Sequence, residues 1–134
     1  MTKLSSIEGI GEVFAAKLKE AGIGSLEKLL EVGSTPKGRK EIAEQTGLSE
    51  AQILKWVNKA DLTRIKGVST QYADLLEASG VDTVPELAQR NPDNLYQKIV
   101  EVNREKKLVR KLPTANQVKD WVEQAKRAPR VIQY

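Results

Sequence analysis

Apolar positions along this chain recur in a pattern that appears twice. Leu4, Ile7 and Ile10 are followed by Phe14, Leu18 and Ala21 at helical spacing, then by Ile23, Leu26, Leu29 and Leu30. The same order returns from Leu62 to Leu87 at a constant offset of 58 positions with no gap: Ile65, Val68, Tyr72, Leu76, Val81 and Leu87. Self-similarity at a fixed spacing means one structural unit used twice. The spacing predicts, in each copy, a short turn, a helix, a second turn and a second helix.

Polar and glycine positions punctuate that pattern. Gly9-Ile10-Gly11 suits a tight turn, because glycine takes positive φ without steric cost. Gly22 stops the first helix, and Ser25 offers an N-cap to the second. Thr35-Pro36 starts a third helix, running to Gln45 and ending at Gly47. Ser49 and Gln52 have capping-box spacing at the head of a fourth, whose apolar face is Ile53, Trp56, Val57 and Ala60. In the second half, Asn91-Pro92 starts the third helix and Thr114 with Gln117 caps the fourth. There the face Val118, Trp121, Val122, Ala125 stands 65 positions after its counterpart, so seven residues are inserted. The insertion is placed near Arg104–Arg110, in the stretch REKKLVRK, which carries five positive charges and one negative in eight residues.

The expected organisation is a first unit at 1–61 and a second at 62–134 with the basic insertion near 104–111. No Pro/Gly/Ser linker separates them, so the halves are expected to pack together, and units of 60–70 residues are marginal alone. The tail from Lys126 to Tyr134, in which Pro129 ends the last helix, is basic and then apolar, and is expected either to dock or to fray.

Composition narrows the chemistry. The chain has no cysteine and no histidine, which removes disulfides, thiolate metal sites and the commonest acid–base residue. Aromatics are 4%, so the core must be aliphatic. No apolar run approaches the ~20 residues of a membrane span, and nothing at the start resembles a signal peptide. A cytoplasmic protein with no membrane partner is expected. The net charge of +4 lies wholly in residues 62–134, with 13 Lys/Arg against 9 Asp/Glu, while residues 1–61 carry 9 of each. That asymmetry points to a polyanion-facing side in the second half.

The pattern apolar-x-Gly-apolar-Gly, helix, Gly-apolar-x-Ser/Thr-x-x-x-Leu resembles the helix-hairpin-helix motif of DNA repair, recombination and polymerase accessory domains. The doubled arrangement is similar to a bacterial family of small tandem helix-hairpin-helix proteins of uncharacterised function. The motif spans about two fifths of the chain. The resemblance implies an all-α fold of two tandem helix-hairpin-helix (SAM-like) units, with about four to five helices each. It also implies non-enzymatic, non-sequence-specific DNA binding, in which main-chain amides at a helix start hold phosphates.

By resemblance, Gly9, Ile10 and Gly11 would hold one phosphate with Lys17 nearby. Gly67, Val68 and Ser69 would hold another, with Arg64 and Lys66 beside them. Each turn departs from the motif. The first is flanked by Glu8 and Glu12, which repel phosphate. The second replaces the second glycine with Ser69, which either caps its helix or donates to a phosphate. The second turn is therefore the better expected anion site. Lys106, Lys107, Arg110 and Lys111 in the insertion are candidates for backbone tracking, or for simple dipole complementation at a helix end.

Trp56 and Trp121 offer two readings, base stacking or core anchors, and their matched places on amphipathic faces favour the core. Carboxylates are scattered and often near lysines, so catalysis has little support; Lys17 is the weak guess for a nucleophile. No cofactor is implied apart from a monovalent cation held by carbonyls at the Gly9–Gly11 turn, again by resemblance. The competing function is a protein–protein interaction or scaffold module that kept the fold and lost the phosphate contacts.

Overall fold

A computed structural model describes residues 2–7 and 9–134. The fold is all-α. Among the described residues its elements are a 3-10 turn (Leu4–Ser6) and helices α1 (Glu12–Glu20), α2 (Leu26–Gly33), α3 (Pro36–Thr46), α4 (Glu50–Leu62), α5 (Thr70–Ala78), α6 (Val84–Gln89), α7 (Pro92–Lys106) and α8 (Ala115–Arg127). Among the described residues there is no strand, and no helix is long and apolar enough to cross a membrane.

Short polar side chains set most of the helix starts. Ser25, Thr35, Ser49, Ser69, Thr83, Asn91 and Thr114 each accept the amide three residues on, at 3.1–3.2 Å. Such caps satisfy amides that a helix start leaves without partners, each worth about 1 kcal/mol. At Thr114 the box is reciprocal: the Thr114 amide donates to Gln117 Oε1 at 2.8 Å. Gly47, with φ of 75°, ends α3.

The chain forms two compact units, Met1–Asp61 with Val131–Tyr134, and Leu62–Arg130. Residues 131–134, expected with the second unit, belong to the first. In the first unit, Ile7, Ile10, Leu18, Ile23, Leu29, Ile53, Trp56 and Val57 form an aliphatic core around one indole, and Ile132 from the tail completes it at 2% exposure. Arg39 is buried and spans the tail's seat: Nη1 donates to Gly33 O at 2.9 Å and Nη2 to Gln133 O at 2.8 Å. The Gln133 amide donates to Ser34 O at 2.7 Å, and Tyr134 Oη donates to Asn58 Oδ1 at 2.9 Å. The guanidinium thus also satisfies a carbonyl at the end of α2, where a cation complements the helix dipole.

The first turn of α2 is tied to the N-terminal segment by Thr2. Its amide donates to both Glu27 carboxylate oxygens at 3.0 Å, and its hydroxyl donates to Oε1 at 2.8 Å. These bonds, the amide first, hold the Glu27 carboxyl below its usual range.

In the second unit, Leu62, Ile65, Val68, Leu76, Val81, Leu87, Leu95, Ile99, Val118, Trp121 and Val122 form the corresponding core. The seven inserted residues divide between helix and loop. Helix α7 ends two positions later than the counterpart of α3, and its loop to α8 has eight residues where α3 and α4 are joined by three.

Candidate nucleic-acid interface

The two turns that precede α1 and α5 share their backbone. Gly9 has φ of 95° and Gly67 has φ of 96°, a region open to glycine and strained for other residues. At Gly67 a side chain would also be crowded by the indole beneath, whereas at Gly9 it would make only ordinary contact. A Cβ on Gly9 would lie 3.5 Å from Trp56 Nε1, and one on Gly67 would lie 3.0 Å from Trp121 Nε1. Each indole is buried and meets an aromatic from the helix after the turn: Phe14–Trp56 at 5.6 Å and Tyr72–Trp121 at 5.4 Å. The tryptophans are supports of the turns, leaving no face for a base.

The structure narrows the set of amides offered to a ligand. Ile10 N donates to Ile7 O at 3.1 Å and Val68 N to Ile65 O at 3.0 Å, so both are used inside their turns, and both side chains are buried. Gly67 and Ser69 amides make no hydrogen bond within the protein among the described residues. Ser69 caps α5 by accepting the Tyr72 amide at 3.2 Å. Its hydroxyl proton is still available to a ligand, since a serine oxygen accepts and donates at once. The two roles expected of Ser69 are therefore compatible.

What distinguishes the second turn is its neighbour. The loop after α7 folds against it, and together they enclose a cleft of about 470 Å³ lined by Ser69, Gln71, Tyr72, Lys107, Arg110 and Lys111 among others. The loop is braced from below. Asn103 Nδ2 donates to Val109 O at 3.1 Å, and Val109 N donates to Asn103 Oδ1 at 3.0 Å. Tyr72 Oη donates to Lys111 O at 2.8 Å. Lys107 takes a left-handed conformation, φ 51°, at the end of α7. Val109 is buried, so the loop is anchored through its apolar middle while Lys107, Arg110 and Lys111 stay exposed. None of these three makes an ion pair or side-chain hydrogen bond among the described residues. Three cations held on one rim without compensating carboxylates create a positive field that favours an anion.

The remaining candidates are less concentrated. Lys66 is exposed, and its peptide is pinned from both sides by Gln124: the Lys66 amide donates to Oε1 at 2.8 Å, and Nε2 donates to Lys66 O at 3.0 Å. Arg64 donates to Pro129 O at 3.2 Å and so also braces the segment that follows α8. Lys106 ends α7 and lies outside the cleft lining.

At the first turn, Gly11 is the N-cap of α1 with no side-chain cap, and Glu12 occupies the first helical position. Lys17 is in the last turn of α1, about 9 Å along the axis from Gly11 by helical rise, so the turn and this lysine are not brought together. Glu8 lies outside the described residues. A recess in the first unit, about 210 Å³ beside Leu4, Ala15, Ala16 and Lys19, includes neither Gly9–Gly11 nor Lys17. A monovalent cation at this turn would have to use carbonyls, and Ile7 O and Gly11 O already each accept one amide. No group of three or more carboxylates suited to a metal occurs among the described residues.

Sequence spacing missed Gln71, Asn103 and Gln124. Asn103 and Gln124 had no motif to mark them, and Gln71 matches Val13, an unremarkable helix position.

Residues 8–128 match the family model described as Domain of unknown function (DUF4332), and the chain belongs to that family. No curated protein and no solved structure matches the chain.

Proposed function

We propose that this protein is a non-enzymatic module that binds nucleic acid, DNA foremost, through phosphate contacts without reading sequence, on a helix-hairpin-helix framework. The observation that carries this reading is the basic cleft, where Ser69 and the start of α5 share one lining with uncompensated Lys107, Arg110 and Lys111, and the Ser69 amide has no partner within the protein among the described residues. Oriented amides and mobile cations are the two devices by which proteins hold backbone phosphate. The first turn contributes less, since Glu12 stands at its mouth without an opposing basic loop.

Titration of labelled duplex and single-stranded DNA at several salt concentrations tests this. Each phosphate neutralised on duplex contributes about 0.9 to the log–log salt slope, so a three-cation rim gives a slope of about 3. Replacing Lys107, Arg110 and Lys111 together with Gln removes most of it, while circular dichroism stays unchanged. Lys66→Glu weakens binding more than Lys17→Glu, and the reverse ranking would move the site to the first turn. Absence of binding at low salt ends the proposal.

A second reading has one observation of its own. Val13, in the first turn of α1, is 70% exposed beside Glu12, a surface better suited to a protein partner than to phosphate. A scaffold role predicts a partner retained after nuclease treatment and lost with Val13→Lys.

A further inference from the structure

The basic cleft is a short seat whose charge exceeds that of one backbone phosphate. Its lining comes from two brief segments, the start of α5 and the loop 107–111, and encloses about 470 Å³. A volume of this size suits one compact group and what is attached to it. No lining residue is acidic. Lys107, Arg110 and Lys111 bring three positive charges within five residues, and none of them makes an ion pair among the described residues. Ser69 adds an amide without a partner in the protein among the described residues, and a hydroxyl proton left over from capping α5. Leu108 and Val109 give the lining apolar surface, which suits the sugar beyond a phosphate.

On the reading of this cleft as a phosphate site, we infer that it seats the terminal phosphomonoester of a nucleic-acid strand, the end of the strand rather than its interior. A phosphodiester within a strand has one negative charge and two free oxygens. A terminal monoester carries about −1.5 to −2 at neutral pH and presents three strong acceptor oxygens. Together with the diester beside it, the monoester supplies about three negative charges, which matches the three cations of the rim. One internal phosphate would leave two of those cations over. Three internal diesters would supply the same charge only spread along the strand, not gathered at one free amide. The seat is also held ready before binding. Asn103 fixes the loop at Val109 through bonds of 3.1 and 3.0 Å, and Tyr72 Oη holds Lys111 O at 2.8 Å, so the loop backbone loses little freedom when a ligand enters. The first unit has no counterpart to this wall, because three residues join α3 to α4 where eight join α7 to α8.

Short single strands of one sequence, labelled internally, test this when they carry a 5′ phosphate, a 3′ phosphate or hydroxyls at both ends. Fluorescence anisotropy then gives their affinities for the full chain. At least one phosphorylated form binds about tenfold more tightly than the hydroxyl-ended strand. That ratio widens from about pH 5 to about pH 7.5, because the monoester gains its second charge near pH 6 and the diester does not. Arg110→Gln changes an exposed side chain with no ion pair or side-chain hydrogen bond among the described residues. It brings the ratio back toward one with circular dichroism unchanged. Equal affinity for all three strands, or a preference flat across that pH range, overturns the strand-end inference, while a steep salt dependence alongside it keeps the broader reading of the cleft. Binding by no strand at low salt ends both. A preference that survives replacement of Lys107, Arg110 and Lys111 together by Gln places the terminal phosphate elsewhere and overturns the inference. Thymidine 5′-monophosphate that competes as well as the phosphorylated strand marks a seat for free nucleotide, and overturns it too.

Discussion

The turns at Gly9 and Gly67 have nearly the same φ, the same indole beneath them and the same aromatic partner for that indole, yet their surfaces differ. Around the first stand Glu12 and the exposed Val13; around the second stand Ser69, Gln71 and a basic loop. The conserved geometry between the two copies is therefore a matter of core packing, and the divergence is confined to what faces a ligand. A duplicated support can carry a basic surface in one copy and an acidic and apolar one in the other, because the tryptophan holds the turn whichever residues decorate it.

The comparison breaks most visibly at the supports. Trp56→Ala and Trp121→Ala each remove a large buried ring, and each is expected to destabilise its own unit by about 3–5 kcal/mol, read from urea unfolding. Equal effects would show that the two indoles do the same task, whereas a small effect at one would show that its turn is held by something else.

The glycines come next. Gly67→Ala forces alanine into positive φ, costing about 1–2 kcal/mol, and sets a methyl 3.0 Å from Trp121 Nε1. Gly9→Ala meets the same backbone cost but has 3.5 Å to Trp56. Thermal unfolding should therefore rank Gly67→Ala as the more damaging.

Acid separates the units by another route. The folded Glu27 carboxyl sits below its usual range because Thr2 donates to it, and the corresponding position in the second unit is Pro85. A lowered folded value gives stability that is present above the unfolded value and lost as pH falls through the folded one. Glu27→Gln should thus lower the urea midpoint at neutral pH, and the difference from the unaltered chain should close below about pH 4. A gap that persists in acid would assign the effect to packing.

The smallest change tests whether the first helix start can be converted toward the second. Gly11 caps α1 without a side chain, and a Cβ there would meet nothing within 4 Å. Gly11→Ser should reproduce the bond that Ser69 makes and raise stability by a few tenths of a kcal/mol, seen as a small rise in melting temperature.

Helix starts and stops were legible in the sequence because they are written over three or four residues: Ser25, Thr35, Asn91 and Thr114 cap where spacing placed them, and Gly47 ends α3. The two tryptophans were legible as core because both lie on amphipathic faces in matching registers. What could not be read was where distant segments meet. Nothing near Ser69 says that Lys111 lies beside it, with Tyr72 bonded to its carbonyl 39 positions away. Nothing near Ile132 says that its pocket is made of residues from the first unit. The amides of Ile10 and Val68 illustrate a subtler limit, since a turn pattern shows that amides cluster but not which ones the turn itself consumes.

The return of Ile132 to the first core reverses the usual order of events during synthesis. The opening 61 residues leave the ribosome first, but their core is finished by a residue encoded after the whole of the second unit. At elongation rates of about 5–20 residues per second, the N-terminal half waits roughly 3–14 s with an open apolar seat while residues 62–130 are made. Thirteen of the fourteen buried residues of that core lie within the opening 61, so the nascent N-terminal half can collapse early while the one seat for Ile132 stays open to a chaperone.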